Sequence, residues 1–186
     1  MEREHACLVE MFVTELASSA ERGPILDLAC GSGRNGLYLI ANRVPVVFAD
    51  ADTTALAQVR SALSDPVYRN TRALADFWPV DFERVQASPM EQRRFGGIIV
   101  FRYLYRPLIE HIRQAVLPGG MVIYETFTVD QPQFGRPKNP DYLLRHGELP
   151  GYFDDWNILY RFEGVQEGLE GGNPQAISRI VALKPD

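Results

Sequence analysis

Short apolar runs alternate with amphipathic segments along the first two thirds of the chain. Continuous apolar runs are typical of strands buried on both faces, and they occur at 25–29, 46–49, 97–101 and 121–124. A shorter run at 72–75, closing at Asp76, predicts a further strand. Apolar residues recur at helical spacing between the runs, at 5–20, 35–41, 53–63 and 107–116. Strands that alternate with helices predict a parallel sheet with right-handed crossover connections.

The alternation ends after Glu125. Residues 126–155 are rich in proline and have weak helical character, and a long irregular segment of this kind is usually a functional loop or a lid. Residues 156–162 and 176–183 then predict two strands joined by a glycine-rich turn, an antiparallel hairpin on the sheet edge. We therefore expect one α/β domain over 1–186, a Rossmann-like three-layer sandwich. Its seven-stranded, mostly parallel sheet would carry a covering helix within 1–22 and a substrate-side insertion at 126–155.

Composition restricts the function classes. The chain has 186 residues and a formal net charge of -5, which argues against a dedicated nucleic-acid-binding protein because such proteins usually carry a basic surface. It shows no secretory signal and no apolar segment long enough to span a bilayer, so we expect a cytoplasmic protein with a small-molecule substrate. Cys7 and Cys30 match neither a zinc site nor a disulfide framework, and no metal ligand set is visible.

The first apolar run leads into a glycine-rich turn. Residues 31–36 match the pattern G-x-G-x-x-G, and Asp50 follows at the distance at which dinucleotide-binding folds place a ribose-binding acid. Two acids point away from a nicotinamide or flavin cofactor. Asp27, four residues before the first glycine, would attract a cationic ammonium or sulfonium group and repel a pyrophosphate, and Asp76 could accept the amine of an adenine. The closing hairpin also replaces the second mononucleotide-binding half of a dinucleotide fold.

At these residues the sequence resembles the class I S-adenosylmethionine-dependent methyltransferases. Asp27-Leu28-Ala29-Cys30-Gly31-Ser32-Gly33 matches their motif I, Asp50 their ribose-binding acid and Asp76 their adenine-side acid. The sequences at 102–108, 118–120, 124–127 and 134–140 further resemble a bacterial branch grouped with tellurite-resistance methyltransferases. That branch offers no settled substrate, and Arg102 stands where it would be expected to have a small polar residue.

The resemblance implies a cofactor site for S-adenosylmethionine. Asp27 and the backbone of 29–33 would hold the methionine part, Asp50 the ribose, and Asp76 with the Phe77 backbone the adenine. The full set of expected cofactor-binding residues is Asp27, Ala29, Cys30, Gly31, Ser32, Gly33, Asn35, Asp50, Ala51, Asp52, Ala75, Asp76, Phe77 and Phe101.

The acceptor is expected beyond the carboxyl ends of the fourth and fifth strands, where open α/β sheets bind substrates. Arginine side chains there could hold an anion in a bidentate manner. The expected substrate residues are Arg102, Tyr105, Arg106, Phe127 and Arg136, with Glu125 as candidate base and Tyr103 as the second candidate. A structural alternative is that Tyr105 and Arg106 pack at the start of the following helix.

Methyl transfer to a small, anionic acceptor is the leading hypothesis. Two alternatives stay open. The literal G-x-G-x-x-G pattern is also compatible with an NAD-type oxidoreductase, against which an antiparallel seventh strand would weigh heavily. The lack of an unmistakable acceptor motif is compatible with a catalytically inactive module that binds S-adenosylmethionine.

Overall fold

A central mixed sheet organises the chain. The computed structural model describes residues 5–84, 90–167 and 173–186. In chain order the strands of this described part are β1 (Ile25–Leu28), β2 (Val46–Asp50), β3 (Ala75–Pro79), β4 (Phe95–Phe101), β5 (Val116–Phe127), β6 (Asn157–Gln166) and β7 (Gln175–Leu183). The helices are α1 (Cys7–Met11), α2 (Val13–Ala20), α3 (Arg34–Ala41), α4 (Thr53–Ala62), α5 (Ile109–Ala115) and α6 (Glu148–Gly151).

The strand order is β3-β2-β1-β4-β5-β7-β6. The first five strands pair in parallel, whereas β7 pairs antiparallel with both β5 and β6. The predicted parallel sheet with an antiparallel hairpin at its end is therefore confirmed. Part of the glycine-rich turn predicted between β6 and β7 lies outside the described residues.

Apolar side chains pack on both faces of the sheet. On β4, Ile98 belongs to one buried cluster and its neighbour Ile99 to the other, because successive strand residues point to opposite faces. The Ile99 face is covered by α1 to α4 and the Ile98 face by α5 together with residues 144–156. The segment predicted as a loop at 126–155 thus contributes Leu144 and Leu149 to the core.

The N-terminal segment differs from the single helix predicted over 5–20. Two helices, α1 and α2, are separated at Phe12, whose backbone leaves the helical region at φ -115° and ψ 21°. The Phe12 ring lies 6.3 Å from that of Tyr160 on β6. The second helix approaches the sheet closely, since a Cβ atom at Gly96 would lie 2.1 Å from the Ser19 carbonyl oxygen.

The third strand lies later than predicted. Residues Arg72–Leu74 form a 3-10 helix, and pairing with β2 begins where Ala75 lies opposite Val46. The prediction of a strand over 72–75 that closes at Asp76 is therefore wrong. The burial pattern of β3 explains the error, because β3 is a partly exposed edge strand without a continuous apolar run.

Within the described residues, the structure contains no helix that is both long and apolar enough to cross a membrane.

Candidate functional site

The carboxyl ends of the parallel strands meet at one edge of the sheet. Leu28 at the end of β1 lies opposite Ala49 on β2 and Val100 on β4, while Phe101 lies opposite Glu125 on β5. The loops that follow these strands are therefore neighbours, as the ligand-binding edge of an open α/β sheet requires.

The glycine-rich loop connects β1 to α3 through left-handed backbone conformations. Ala29, Gly31 and Gly33 have φ angles of 52°, 53° and 69°. A Cβ atom at Gly33 would lie 2.5 Å from Val59 Cγ2, so that glycine allows close helix packing. At Gly31 a Cβ atom would meet no described atom within 4 Å. The Gly31 backbone therefore borders open space into which a ligand can approach.

Asp50 ties this loop to the end of β2. Its carboxylate accepts hydrogen bonds from the Gly31 N–H at 2.8 Å and from the Asp52 N–H at 2.9 Å. Asp52 in turn caps α4 by accepting from the Thr54 N–H at 2.8 Å, and Ala51 between them is exposed. The half-buried Asp50 keeps free lone pairs on its oxygens, since a carboxylate can accept about four hydrogen bonds.

Asp27, in β1, connects the strand that precedes the loop to helix α3, which follows the loop. It is 3% exposed and accepts a hydrogen bond from the Gly36 N–H at 2.9 Å. Burial raises the pKa of Asp27 to about 7, although the Gly36 N–H and the nearby Arg34 act in the opposite direction. A Cβ atom at Gly36 would lie 2.8 Å from the carboxylate, so glycine at this position makes the contact possible.

Cys30 is a packed residue of the same loop. Its N–H donates to the Ala49 carbonyl at 3.0 Å. Burial, together with Asp27 and Asp50, raises the pKa of the Cys30 thiol. The thiol is thus held protonated and is not an activated nucleophile. Ser32 in the same loop is exposed.

Four of the expected cofactor residues lie elsewhere. Asn35 lies away from the open side of the loop, and Ala75, Asp76 and Phe77 lie away from the carboxyl ends of the strands. The Asn35 side chain accepts a hydrogen bond from the Ala6 N–H at 2.9 Å and so holds the N-terminal segment on α3. Ala75, Asp76 and Phe77 form the first half of β3, with Asp76 opposite Val47. At about 3.3 Å per residue, Asp76 is roughly 10 Å from the level of Asp50. The structure does not bring it to the edge that carries Asp27 and Asp50.

Asp81 occupies the strand end that Asp76 was expected to occupy. β3 ends at Pro79 opposite Asp50, and the Val80 N–H donates to the Asp50 carbonyl at 3.0 Å. The Asp81 carboxylate follows directly and accepts from the Glu83 N–H at 3.0 Å. The sequence offered one signal for it, a second acid placed two residues after a proline that ends the strand.

A buried ionic cluster lies beside the other strand ends. We define the Glu125 cluster as Arg102, Glu125 and Arg179. Glu125 is 2% exposed, and its Oε1 lies 3.1 Å from Arg102 Nη2. Its Oε2 accepts from Arg179 Nε on β7. Both oxygens of the expected base are therefore engaged with guanidinium groups, which suits an anchor rather than a proton acceptor.

Arg102 is held in one orientation by several contacts. It has a left-handed φ of 60°, and its N–H donates to the Glu125 carbonyl at 2.8 Å. Its Nη2 also donates to Gln175 Oε1 at 2.6 Å, and its guanidinium lies 4.5 Å from the centre of the Phe127 ring. The remaining nitrogen, Nη1, is buried and finds no hydrogen-bond partner among the described residues. Sequence reasoning missed Gln175 and Arg179.

Arg106 has a structural role instead of the expected substrate contact. It forms a bidentate pair with Glu148 at 2.6 and 2.9 Å and donates to the carbonyl oxygens of Asp141 and Leu143. Its hydrogen bonds lower the pKa of Glu148 to about 2. Tyr105 packs against the apolar cluster under α5. These contacts favour the alternative of structural packing for both residues.

A cavity of about 780 Å³ opens beside the Glu125 cluster. We call it the β4–β5 cavity; it is lined by Glu83, Arg102, Tyr103, Leu104, Thr126, Phe127, Arg136, Pro137, Lys138, Asn139 and Tyr142. Three of the five expected substrate residues, Arg102, Phe127 and Arg136, are among them. None of the described lining residues belongs to the glycine-rich loop.

Tyr103 lines the cavity, but its phenol is a weak base candidate. Burial is the largest cause that raises its pKa, and the Glu83 carboxylate adds to the effect. Phe101, at the end of β4, is half-buried against the opposite core cluster. No group of three or more His, Cys, Asp or Glu side chains in the described parts of the chain could hold a metal ion.

The fold is that of known methyltransferases. TehB from Haemophilus influenzae has a TM-score of 0.70 and 19% identity over 92% of this chain, which spans 62% of that protein. An S-adenosylmethionine-dependent methyltransferase from Methanosarcina mazei has a TM-score of 0.64 and 17% identity over 87% of this chain and 92% of its own. The glycopeptide N-methyltransferase MtfA, crystallised with S-adenosylhomocysteine, has a TM-score of 0.67 and 15% identity over 100% and 92% of the two chains.

No curated protein sequence matches the chain. The family model described as tellurite resistance protein TehB, however, matches residues 6–172. That match spans most of the sequence and includes the glycine-rich loop, Arg102 and Glu125, and the β4–β5 cavity. The chain therefore belongs to the TehB family.

Proposed function

We propose that the chain is an S-adenosylmethionine-dependent methyltransferase that acts on a small, anionic acceptor. The observation that carries this proposal is the loop at 29–33, whose Gly31 backbone borders open space while its N–H is tied to Asp50. A second space, the β4–β5 cavity, lies at the neighbouring strand ends and would take the acceptor. Membership of the TehB family and the methyltransferase fold support the proposed activity.

The residues present fit the cofactor. Asp50 would accept the ribose hydroxyls, the backbone of 29–33 would hold the amino-acid part, and Val80 and Asp81 would lie on the adenine side. Asp50 gives this side of the edge a negative character, which suits a cation, and Asp27, whose pKa is raised by burial to about 7, adds to it when it is ionised. S-adenosylmethionine, when bound, supplies a methyl group on an already activated sulfonium.

The chain's own contribution would be positioning and exclusion of water. Arg102 is fixed by Glu125 and Gln175 and would orient the acceptor. Neither Glu125, with both oxygens in ion pairs, nor Tyr103, whose pKa is raised by burial, is suited to accept a proton. An acceptor that is already deprotonated at neutral pH needs no such base.

The oxidoreductase alternative loses its support. It rested on the literal G-x-G-x-x-G pattern, whereas β7 is antiparallel to its neighbours and the family match is to TehB. The inactive-module alternative is decided by turnover, because release of S-adenosylhomocysteine in the presence of any acceptor excludes it.

Calorimetry with S-adenosylhomocysteine tests the cofactor site. We expect binding to the wild type and a loss of roughly ten-fold or more in affinity for Asp50→Ala, because a hydrogen bond to a charged group contributes about 1.5–3 kcal/mol. Asp76→Ala is the matched control and should bind as the wild type, since Asp76 is exposed and lies away from the edge. Absence of wild-type binding, or equal binding by Asp50→Ala, would refute the cofactor assignment.

A further inference from the structure

Within the described residues, the Glu125 cluster contains one more positive than negative charge. Two guanidinium groups share one carboxylate, which leaves one net positive charge in a largely buried position: the side chains of Arg102, Arg179 and Glu125 are 29%, 12% and 2% exposed. Arg34 is close enough to add to the positive field at Arg102. Buried charges are normally paired, so this excess favours a single negative charge supplied by a ligand.

The hydrogen bonding of Arg102 points the same way. Its Nη2 is shared between Gln175 and Glu125, but its Nη1 has no partner among the described residues. A buried donor without an acceptor calls for a missing partner. Arg102 also lines the β4–β5 cavity, so an anion in that cavity would lie next to this guanidinium.

The remaining walls of the β4–β5 cavity expose mostly apolar atoms, although Glu83, Thr126, Arg136, Lys138 and Asn139 also line it. Tyr103, Leu104, Phe127, Pro137 and Tyr142 bring rings and aliphatic carbon to it. Its volume of about 780 Å³ lies within the range of roughly 300–1,000 Å³ that is typical of sites for organic ligands. A small inorganic oxyanion would satisfy the charge but would leave most of these walls without contact.

On the basis of the proposed function, we infer that the acceptor is an organic monocarboxylate with an apolar, aromatic-sized body, held by Arg102 at its carboxylate and by Phe127 and the flanking tyrosines at its body. A carboxylate is ionised at neutral pH. One carboxylate oxygen would therefore take the methyl group without a protein base: its bond to the methyl carbon forms as the bond from that carbon to sulfur breaks, and S-adenosylhomocysteine leaves. This agrees with the engaged oxygens of Glu125.

A ligand panel separates charge from size. Phenylacetate, cinnamate and indole-3-acetate carry both features; phenylacetamide has the body without the charge; acetate, tellurite and selenite have the charge without the body. Binding is measured by calorimetry on protein saturated with S-adenosylhomocysteine. Failure of S-adenosylhomocysteine to bind in a separate titration refutes the proposed function, and the panel is then measured on the protein alone.

We expect at least one of the three aromatic carboxylates to bind with a dissociation constant of roughly 1 mM or lower, and phenylacetamide, acetate and both oxyanions to bind roughly ten-fold more weakly or worse. The inference is overturned if tellurite or selenite binds as tightly as the aromatic carboxylates, if the amide matches phenylacetate, or if none of the three carboxylates binds.

Three substitutions locate the site. Arg102→Gln should weaken carboxylate binding by roughly ten-fold or more and leave S-adenosylhomocysteine binding unchanged. Arg136→Gln, at an exposed position that does not threaten folding, should weaken it by a smaller factor. Arg161→Gln, at an exposed arginine of β6 outside this cavity, is the control and should bind as the wild type. Equal binding by all three variants would place the carboxylate elsewhere.

Discussion

Removal of the Glu125 charge should destabilise the fold far more than removal of an exposed carboxylate. Glu125→Gln keeps the shape but leaves Arg102 and Arg179 facing each other without a counter-charge in a buried position. Breaking a buried ion pair in this way costs about 3–5 kcal/mol. For a chain of this size that corresponds to a decrease of roughly 10 °C in melting temperature.

Urea unfolding at neutral pH measures the effect, with an unchanged slope to confirm that only stability has altered. Glu110→Gln is the control: Glu110 is 64% exposed, its ion pair with Arg113 is 3.5 Å long, and its loss should cost at most about 1 kcal/mol. In the Glu125→Gln background, Arg179→Met should restore stability because it removes one of the two unpaired cations. A Glu125→Gln variant within about 1 kcal/mol of the wild type would refute the account of a buried, charge-coupled cluster.

Three further predictions concern the loop and the cavity wall. Because burial raises the pKa of Asp27 from 3.8 to about 7, the contribution of Asp27 to stability is complete below about pH 4 and is lost as the pH rises to 7. Relative to Asp27→Asn, the wild type should lose roughly 3 kcal/mol of unfolding free energy from about pH 5 to about pH 8. Parallel curves of unfolding free energy against pH for the two proteins would contradict this. Arg106→Ala should speed amide hydrogen exchange in 139–148, where its partners lie, and unchanged exchange there would contradict its anchoring role. In urea unfolding, Gly33→Ala should lose more than the left-handed backbone strain of about 1–2 kcal/mol, because its Cβ atom also meets Val59. Gly31→Ala should lose only that strain, but it should bind S-adenosylhomocysteine more weakly.

The strands that sequence reasoning located well are those whose burial is complete. β1, β2 and β4 are apolar on both faces, so they appear as continuous apolar runs at 25–29, 46–49 and 97–101. The edge strand β3 is only partly buried, and it is preceded by a 3-10 helix whose Ala73 and Leu74 run directly into Ala75, the first residue of the strand. The misplacement of β3 moved the expected adenine-side acid to Asp76, away from the strand end.

The N-terminal helices show a different limit. Helical spacing of apolar residues over 5–20 correctly predicts helix, but periodicity does not report the backbone of a single residue such as Phe12. At the break, the Phe12 ring lies close to that of Tyr160, which is far away in sequence.

The two halves of the candidate site differ in how far they depend on local sequence. The loop at 29–33 is defined by left-handed backbone conformations, which glycine permits at 31 and 33, and Asp50 lies only 19 residues from Gly31. The orientation of Arg102 depends on Gln175, 73 residues later, and Glu125 is paired with Arg179, 54 residues later. No spacing rule connects such positions, so Arg102 could be predicted as a substrate residue without the cluster that fixes it.

This difference has a consequence for specificity within one fold. The fold is shared with the TehB and MtfA structures at 19% and 15% identity to this chain, and the loop at 29–33 depends on a few glycines and one carboxylate. The β4–β5 cavity is instead lined by Glu83, by residues 102–104 after β4, by the end of β5 and by residues between 136 and 142, none of which belongs to the loop. Arg102 is the point at which the halves meet, because it lines the cavity while Arg34, the first residue of α3, contributes to its electrostatic environment. A substitution of Arg102 should therefore alter which charge on the acceptor is tolerated. A substitution of Phe127 or Tyr142 should alter which size of acceptor is tolerated, and none of these changes should affect the cofactor site.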